Sequence, residues 1–384
     1  MSQIIENRSA LSGCKGKKLQ PKATVSYALN FSLSFGLSII FSFYSTAQIA
    51  VSTIKQNPNL IVLPSPRLES VNFPNGTINL LTNYQDQRVK PLLDGVKDLL
   101  TPLQIKSRVR FATISNVVGY SAILVYLNSA WYADYLRGSF RFFNDNAEWL
   151  QIDKVGHMYG AYIESRTSME LWRWTGIDRK KRIWIGGLSG AVYQTVIEIL
   201  DGFSQEWGWS WGDFSANMLG SATLISQELA WDDQRIKLKF SFHKNKYVDA
   251  EINKRAEELF GKTLGERFIK DYNAQTYWAS ANLSSFFPKS NLPPWLAVAV
   301  GYGADGMFGA RANVGTNQND NTSFNRSDIR RYRQWYLAPD IDFTKIKSNK
   351  KGIKLLFFAL SAFKFPAPSL EFSKGKFKVN ALHF

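Results

Sequence analysis

The chain has 384 residues, 45% of them apolar and 14% aromatic, and carries a formal charge of +16. It has room for one large domain or two ordinary ones around a sizeable core. The basic balance points to anionic partners, but no helix-turn-helix, zinc-finger or RNP-like pattern accompanies it, so nucleic acid is not an expected partner. The basic residues are scattered or lie beside apolar stretches, which favours a membrane surface.

The N-terminal segment reads as an export signal. Lys15, Lys17, Lys18 and Lys22 precede an uncharged run from Ala23 to Val51, with LSFGLSIIFSFY at its centre. Ser45 and Ala47 follow at the spacing a signal peptidase favours, which predicts a signal peptide over 1–47. The run is also long enough to remain as an uncleaved anchor. The single cysteine, Cys14, precedes the apolar centre, so it is not a lipobox cysteine. It also excludes an internal disulfide and a CxxC metal site.

Residues 48–107 are polar and punctuated by proline, as in NPNLIVLPSPRLESVNFPNG, and read as an extended arm with a helix at Pro91–Leu100. Residues 111–133 carry no charge and suit either a membrane span or a buried core helix. DYLRGSFRFFNDNAEW follows as an amphipathic connector, whose Arg137, Arg141 and phenylalanines fit a membrane interface.

Residues 150–230 read as three helices with breaks around Thr175–Lys180 and Trp207–Trp209. Each helix carries a pair of polar residues three or four positions apart, and so on one face: Asp153 with His157, Glu198 with Asp201, Asp213 with Asn217. Connections this short make successive helices antiparallel neighbours, which brings all six residues to one end of the bundle. Small residues recur at spacing four (Gly156 and Gly160, Gly186 and Gly190, Gly212, Ala216 and Gly220), predicting close backbone approach between helices. Trp207, Trp209 and Trp211 read as a glycan platform, an interfacial belt or the cap of a helix–helix turn.

The pattern then changes. RIKLKFSF, Arg235–Phe242, alternates strictly and predicts a half-buried strand with Ile236, Leu238, Phe240 and Phe242 on one face. A charged helical stretch covers 247–271, and Gln275–Ser280 reads as a helical continuation or a turn. WLAVAVGYGADGMFGA reads as a strand ending in a glycine-rich turn. No Lys-Ser/Thr pair follows GYGADG, which excludes a phosphate loop. A polar loop over 313–328, a strand in RYRQWYLAPDIDF, a short helix at Gly352–Ala362 and two strands joined at Lys374–Lys376 complete the chain. The predicted organisation is therefore α+β: a signal at 1–47, an arm at 48–107, a helical-bundle core at 108–234 carrying the polar site, and a strand-containing C-terminal part at 235–384, the whole membrane-associated.

DKVGH at Asp153–His157, IEILDGFS at Ile197–Ser204 and WGDFSANMLGS at Trp211–Ser221 together resemble the YfiM-like predicted lipoproteins of bacterial envelopes, over roughly 108–235. GYGADGMFG, RYRQWYLAPDID and FPAPSLEF resemble the longer Bacteroidetes-type form of that family. The order Asp-Lys-x-x-His, Glu, Asp-x-x-x-Asn-x-x-Gly is similar, on fewer residues, to VanZ-like membrane proteins. The resemblance implies an envelope location and no particular chemistry.

Three readings of the polar cluster stay open. The six residues satisfy one another structurally, with Lys154, His157 and Asn217 as the partners that buried carboxylates need. Alternatively His157, Glu198, Asp201 and Asp213 ligate a divalent metal. In the third reading His157 or Glu198 is a general base tuned by neighbouring carboxylates. The expected function is accordingly that of an exported protein of the outer membrane, facing the periplasm, that binds a lipid or an envelope partner. The alternatives are a membrane-associated, metal-dependent enzyme acting on an envelope lipid or glycan and, for location, the inner membrane.

Overall fold

The computed structural model describes residues 100–127, 138–205, 207–316 and 322–383. The signal, the arm as far as residue 99 with all but the last residue of its expected helix at Pro91–Leu100, the end of the uncharged stretch at 128–133, and Arg137 lie outside the described residues. Within them the protein is α+β, with eight α-helices and a six-stranded antiparallel sheet.

The helical half comprises α1 (Pro102–Leu127), α2 (Ile152–Thr175), α3 (Arg179–Gly202) and α4 (Trp211–Trp231). The boundaries follow local chemistry. α2 ends at Gly176, whose φ of 82° suits glycine. The Asp178 carboxylate caps α3 by accepting from the Lys180 and Lys181 amides, and the Ser210 hydroxyl caps α4 by accepting from the Asp213 amide. α2, α3 and α4 pack mutually around Tyr162, Met169, Ile183, Leu224 and Ile225. The small residues permit this. A Cβ on Gly190 would lie 2.1 Å from the Ala161 carbonyl oxygen, and one on Gly220 would lie 2.2 Å from that of Met158. α1 begins at Pro102, ahead of the expected 108 boundary, and lies along the bundle with Leu124 and Tyr120 against Tyr193 and Val196. Of the two expectations for the uncharged stretch, a buried core helix does not hold. Only 11% of the apolar window of this helix is buried, and Phe111, Ile114 and Val118 are exposed.

The strands are β1 (Ile236–Phe242), β2 (Gln275–Asn282), β3 (Leu296–Asp305), β4 (Val314–Thr316), β5 (Ser323–Asn325), β6 (Tyr332–Ile341), β7 (Ala367–Ser373) and β8 (Lys376–His383). The main sheet runs β1-β2-β3-β6-β7-β8, and β4 and β5 form a separate hairpin. Gln275–Ser280, expected as helix or turn, is instead strand β2, paired on both sides by β1 and β3. Its Thr, Tyr and Trp residues suit a strand. The remaining helices are α5 (Ala250–Phe260), α6 (Leu264–Lys270), α7 (Leu283–Phe286) and α8 (Lys351–Leu360).

The sheet is inverted. Along β6 the inward side chains are Tyr336, Ala338 and Asp340, while Trp335, Leu337 and Ile341 point out and are exposed. Along β7, Ser369 and Glu371 are buried while Leu370 and Phe372 are exposed. In β1 the basic residues turn inward too: Lys237 and Lys239 are buried, which corrects the expectation that only the apolar face of RIKLKFSF would be covered. They are accommodated because each meets a carboxylate, Lys237 that of Asp342 and Lys239 that of Asp340, the latter at 2.6 Å. Ser280 donates to Asp340 at 2.6 Å, and Asn380 and Ser373 donate to Glu371 at 3.0 and 2.7 Å. The sheet curls around this polar side, bringing His383 of β8 onto Tyr336 at 4.0 Å between ring centroids and within 5.8 Å of Trp278 in β2. The helical bundle covers the outer apolar face over β1 and β2, where Leu238 packs on the bundle core and Tyr159 meets Phe240 and Tyr277. The outer face of β6, β7 and β8 has no such cover among the described residues.

Candidate functional site

The polar pairs meet at the end of the bundle where α2 and α4 begin and α3 finishes. His157 Nδ1 lies 3.2 Å from Asn217 Oδ1 and 3.6 Å from Glu198 Oε1. Its Nε2 lies 3.8 Å from Asp213 Oδ1 and 4.0 Å from Asp153 Oδ1. Asp201 borders the same space: with Asp153, His157 and Asp213 it lines a cavity of about 320 Å³ between the bundle and the sheet. All six residues singled out by helical spacing therefore surround one site.

Lys154, expected as a partner for the carboxylates, and groups that spacing did not reveal complete it. The Lys154 ammonium, adjacent to Asp153, lies 2.7 Å from Asp145, 2.7 Å from Asp213 and 3.1 Å from Asp153. Tyr272 donates its hydroxyl proton to Asp153 at 2.8 Å. Tyr277 lines the cavity opposite His157 and closes on Gly156, where a Cβ would stand 2.9 Å from the phenol oxygen. Ser210, the cap of α4, donates to Asp145 at 2.6 Å and its amide donates to Glu198 Oε2 at 3.3 Å. Asp145 and the two tyrosines lie on segments with no polar periodicity of their own, so only the tertiary fold brings them in.

The entry to α2 is unusual. Trp149, Leu150 and Gln151 have φ values of 47°, 50° and 65°, a left-handed turn that costs non-glycine residues roughly 1–2 kcal/mol each. It is held by the Trp149 amide donating to Ala310 at 2.7 Å, by the Tyr302 hydroxyl donating to the Leu150 carbonyl, and by the Gln151 side chain donating to Asn146 at 2.7 Å. The turn aims the first turn of α2, with Asp153 and His157, into the cavity.

Burial and charge set the protonation states. Burial alone lowers the His157 pKa, but Asp213, Asp153 and Glu198 together outweigh it and raise it to about 9. Burial raises Glu198 to about 9, against the pull of His157. Asp213 is raised as well, by burial and then by the Asp153 charge. Asp153 goes the other way: burial opposes ionisation, but His157 and Lys154 hold its carboxyl below the usual range. The surrounding carboxylates thus favour the protonated form of His157, and burial favours the protonated form of Glu198.

Beside the cavity lies an aromatic shelf. Phe142 stacks on Trp211 at 6.2 Å, both largely exposed, and Trp209 meets Trp211 at 5.4 Å. Trp207 lines the cavity itself.

Fold and site together define an α+β protein in which a polar centre at the end of a three-helix bundle faces an inverted antiparallel sheet. Residues 141–227, which hold the bundle and all six polar residues, match the family described as "Predicted periplasmic lipoprotein (DUF2279)". That match supports export to the cell envelope. No curated protein and no solved structure matches the chain.

Proposed function

We propose that the protein works at the outer membrane, seated with the outer face of β6, β7 and β8 against lipid acyl chains, and that it binds a lipid or another envelope component there. The observation that carries this reading is the inversion of the sheet. A sheet with one face in water puts polar residues outward, whereas strands that meet lipid put apolar residues outward and polar ones inward. Here Trp335, Leu337, Leu370, Phe372, Phe377 and Val379 face out, and Lys239, Asp340 and Glu371 face in. An apolar surface of this extent marks an interaction site. The exposed apolar side of α1 adds to it: Pro102–Tyr126 and Arg179–Gly202 are both long and apolar enough to cross a membrane, but the second is 56% buried within the bundle. The finer resemblance to the long envelope form of the YfiM-like proteins supports the same location.

The test is density-gradient fractionation followed by alkaline extraction of membranes containing the full chain. The protein should travel with the outer membrane and stay in the pellet. Recovery in the alkaline supernatant would overturn lipid seating, and co-migration with the inner membrane would overturn the location.

A further inference from the structure

We infer that Asp153, His157 and Asp213 form a binding site for one divalent transition-metal cation of the zinc or manganese class. One ring nitrogen and one oxygen from each carboxylate lie within 4.8 Å of one another. Ligand atoms on one tetrahedral ion, at bond lengths of about 2.0–2.2 Å, lie roughly 3.3–3.6 Å apart. The His157 Nε2 distances of 3.8 and 4.0 Å exceed this by a few tenths of an ångström, which small side-chain rotations close.

Three further observations point the same way. First, the amide oxygen of Asn217 can only accept, so at 3.2 Å it holds a hydrogen on Nδ1 and turns Nε2 toward the two carboxylates. A hydrogen-bonded Nδ1 is how a ligating histidine is commonly oriented. Second, Glu198 is 1% exposed, and its Oε1 has no hydrogen-bond partner although it points at His157 Nδ1 from 3.6 Å. A carboxyl held behind the imidazole, on the side away from the ion, is the outer-shell arrangement of carboxylate–histidine–metal sites. Third, the cavity wall is acidic: Asp145, Glu148, Asp153, Asp201 and Asp213 all line it, against Lys154, His157 and, paired with Glu148, Arg311. A dication relieves that excess.

The set differs from the one expected from sequence. Glu198 lies on the other ring nitrogen and Asp201 falls outside the close trio, while Asp153 enters it. Lys154 engages Asp153 through Oδ2 and Asp213 through Oδ1, and Tyr272 donates to Asp153 Oδ1, so the ion would share both of its carboxylate oxygens with these donors. Two carboxylates and one imidazole leave coordination positions open toward the 320 Å³ cavity, and zinc and manganese both accept nitrogen–oxygen sets of this kind.

The test uses untagged full-length protein in detergent, stripped with chelator and titrated with Zn2+ or Mn2+ by calorimetry. One equivalent should bind. D153N and H157A should each weaken binding at least tenfold, while E251Q, exposed on α5 and away from the cavity wall, should stay within about twofold. The chain has three histidines, so Cu2+ bound to an H243A/H383A variant reports on His157 without altering the site. Its pulsed electron paramagnetic resonance should show nitrogen coupling from one imidazole. Failure of folded wild-type protein to bind any of these ions, absence of imidazole coupling in H243A/H383A, or unchanged affinity in folded H157A and D153N would each overturn the site.

Discussion

Lys239 and Asp340 meet at 2.6 Å with 0% and 2% of their side chains exposed, on the concave side of a sheet whose convex side carries exposed Leu337 and Trp335. An ion pair sealed in this way holds only while both partners are present. Removing Lys239 leaves the Asp340 carboxylate with the Ser280 hydroxyl at 2.6 Å and the buried Lys364 ammonium at 3.9 Å, so the cost lies toward the lower end of the roughly 3–5 kcal/mol of a fully uncompensated buried charge. K239M alone should therefore destabilise the protein by that order in denaturant titrations in detergent. The double variant K239M/D340L removes both charges but also takes the carboxylate from buried Lys364, so it should recover part of the loss. Equal destabilisation in single and double variants would show that the pair is not what stabilises the sheet interior.

The pH dependence of the metal-free protein follows from two raised pKa values. His157 goes from 6.5 to about 9, and Glu198 from 4.5 to about 9. In both cases the folded state holds the proton more tightly than the unfolded chain, so stability falls as pH rises between the two values. The Glu198 contribution is fully present below 4.5 and that of His157 below 6.5, and both are lost on passing about 9. Melting temperature measured in chelator should decline across this window, and E198Q should flatten the decline. E198Q should also be nearly neutral below pH 4.5, where the acid carries its proton in both states, and stabilising relative to wild type at pH 7, where the wild-type carboxyl must take up a proton on folding.

Helix contact through bare backbone makes a sharper steric prediction. A methyl at Gly190 meets the Ala161 carbonyl oxygen at 2.1 Å, whereas one at Gly352, in α8, meets nothing within 4 Å. G190A should cost about 1–3 kcal/mol by overpacking. G352A should be neutral or stabilising by up to about 1 kcal/mol through helix propensity. Chemical denaturation of the two variants side by side checks the difference.

What could be read from the sequence divides along the range of the interactions involved. Asp153 with His157, Glu198 with Asp201 and Asp213 with Asn217 were legible because helical spacing is local and short connections fix neighbour order. Asp145, Tyr272 and Tyr277 were not, because each joins the site through tertiary packing; Tyr272 lies 119 positions from the Asp153 it bonds. The alternation of RIKLKFSF marks a strand and its two faces, but not which face turns inward. That depends on where Asp340 and Asp342 lie, about a hundred residues on. Gln275–Ser280 gave no clear period, and its strand state is imposed by pairing with β1 and β3. The close approach of the helices at Gly190 and Gly220 was legible because small residues at spacing four have few other uses inside helices.

The lipid-facing sheet is tested most directly by a nitroxide scan along β6. Single cysteines introduced in turn at 334–341 into a C14S background would be spin-labelled and the protein reconstituted in vesicles of outer-membrane phospholipid. Collision rates with oxygen, which partitions into lipid, and with a water-soluble nickel complex would then be compared. Labels at 335, 337 and 341 should favour oxygen strongly, while labels at 336, 338 and 340 should be shielded from both, giving a period of two along the strand. Nickel collisions at 335, 337 and 341 as frequent as those of an exposed loop label would place that face in water and contradict the lipid seating.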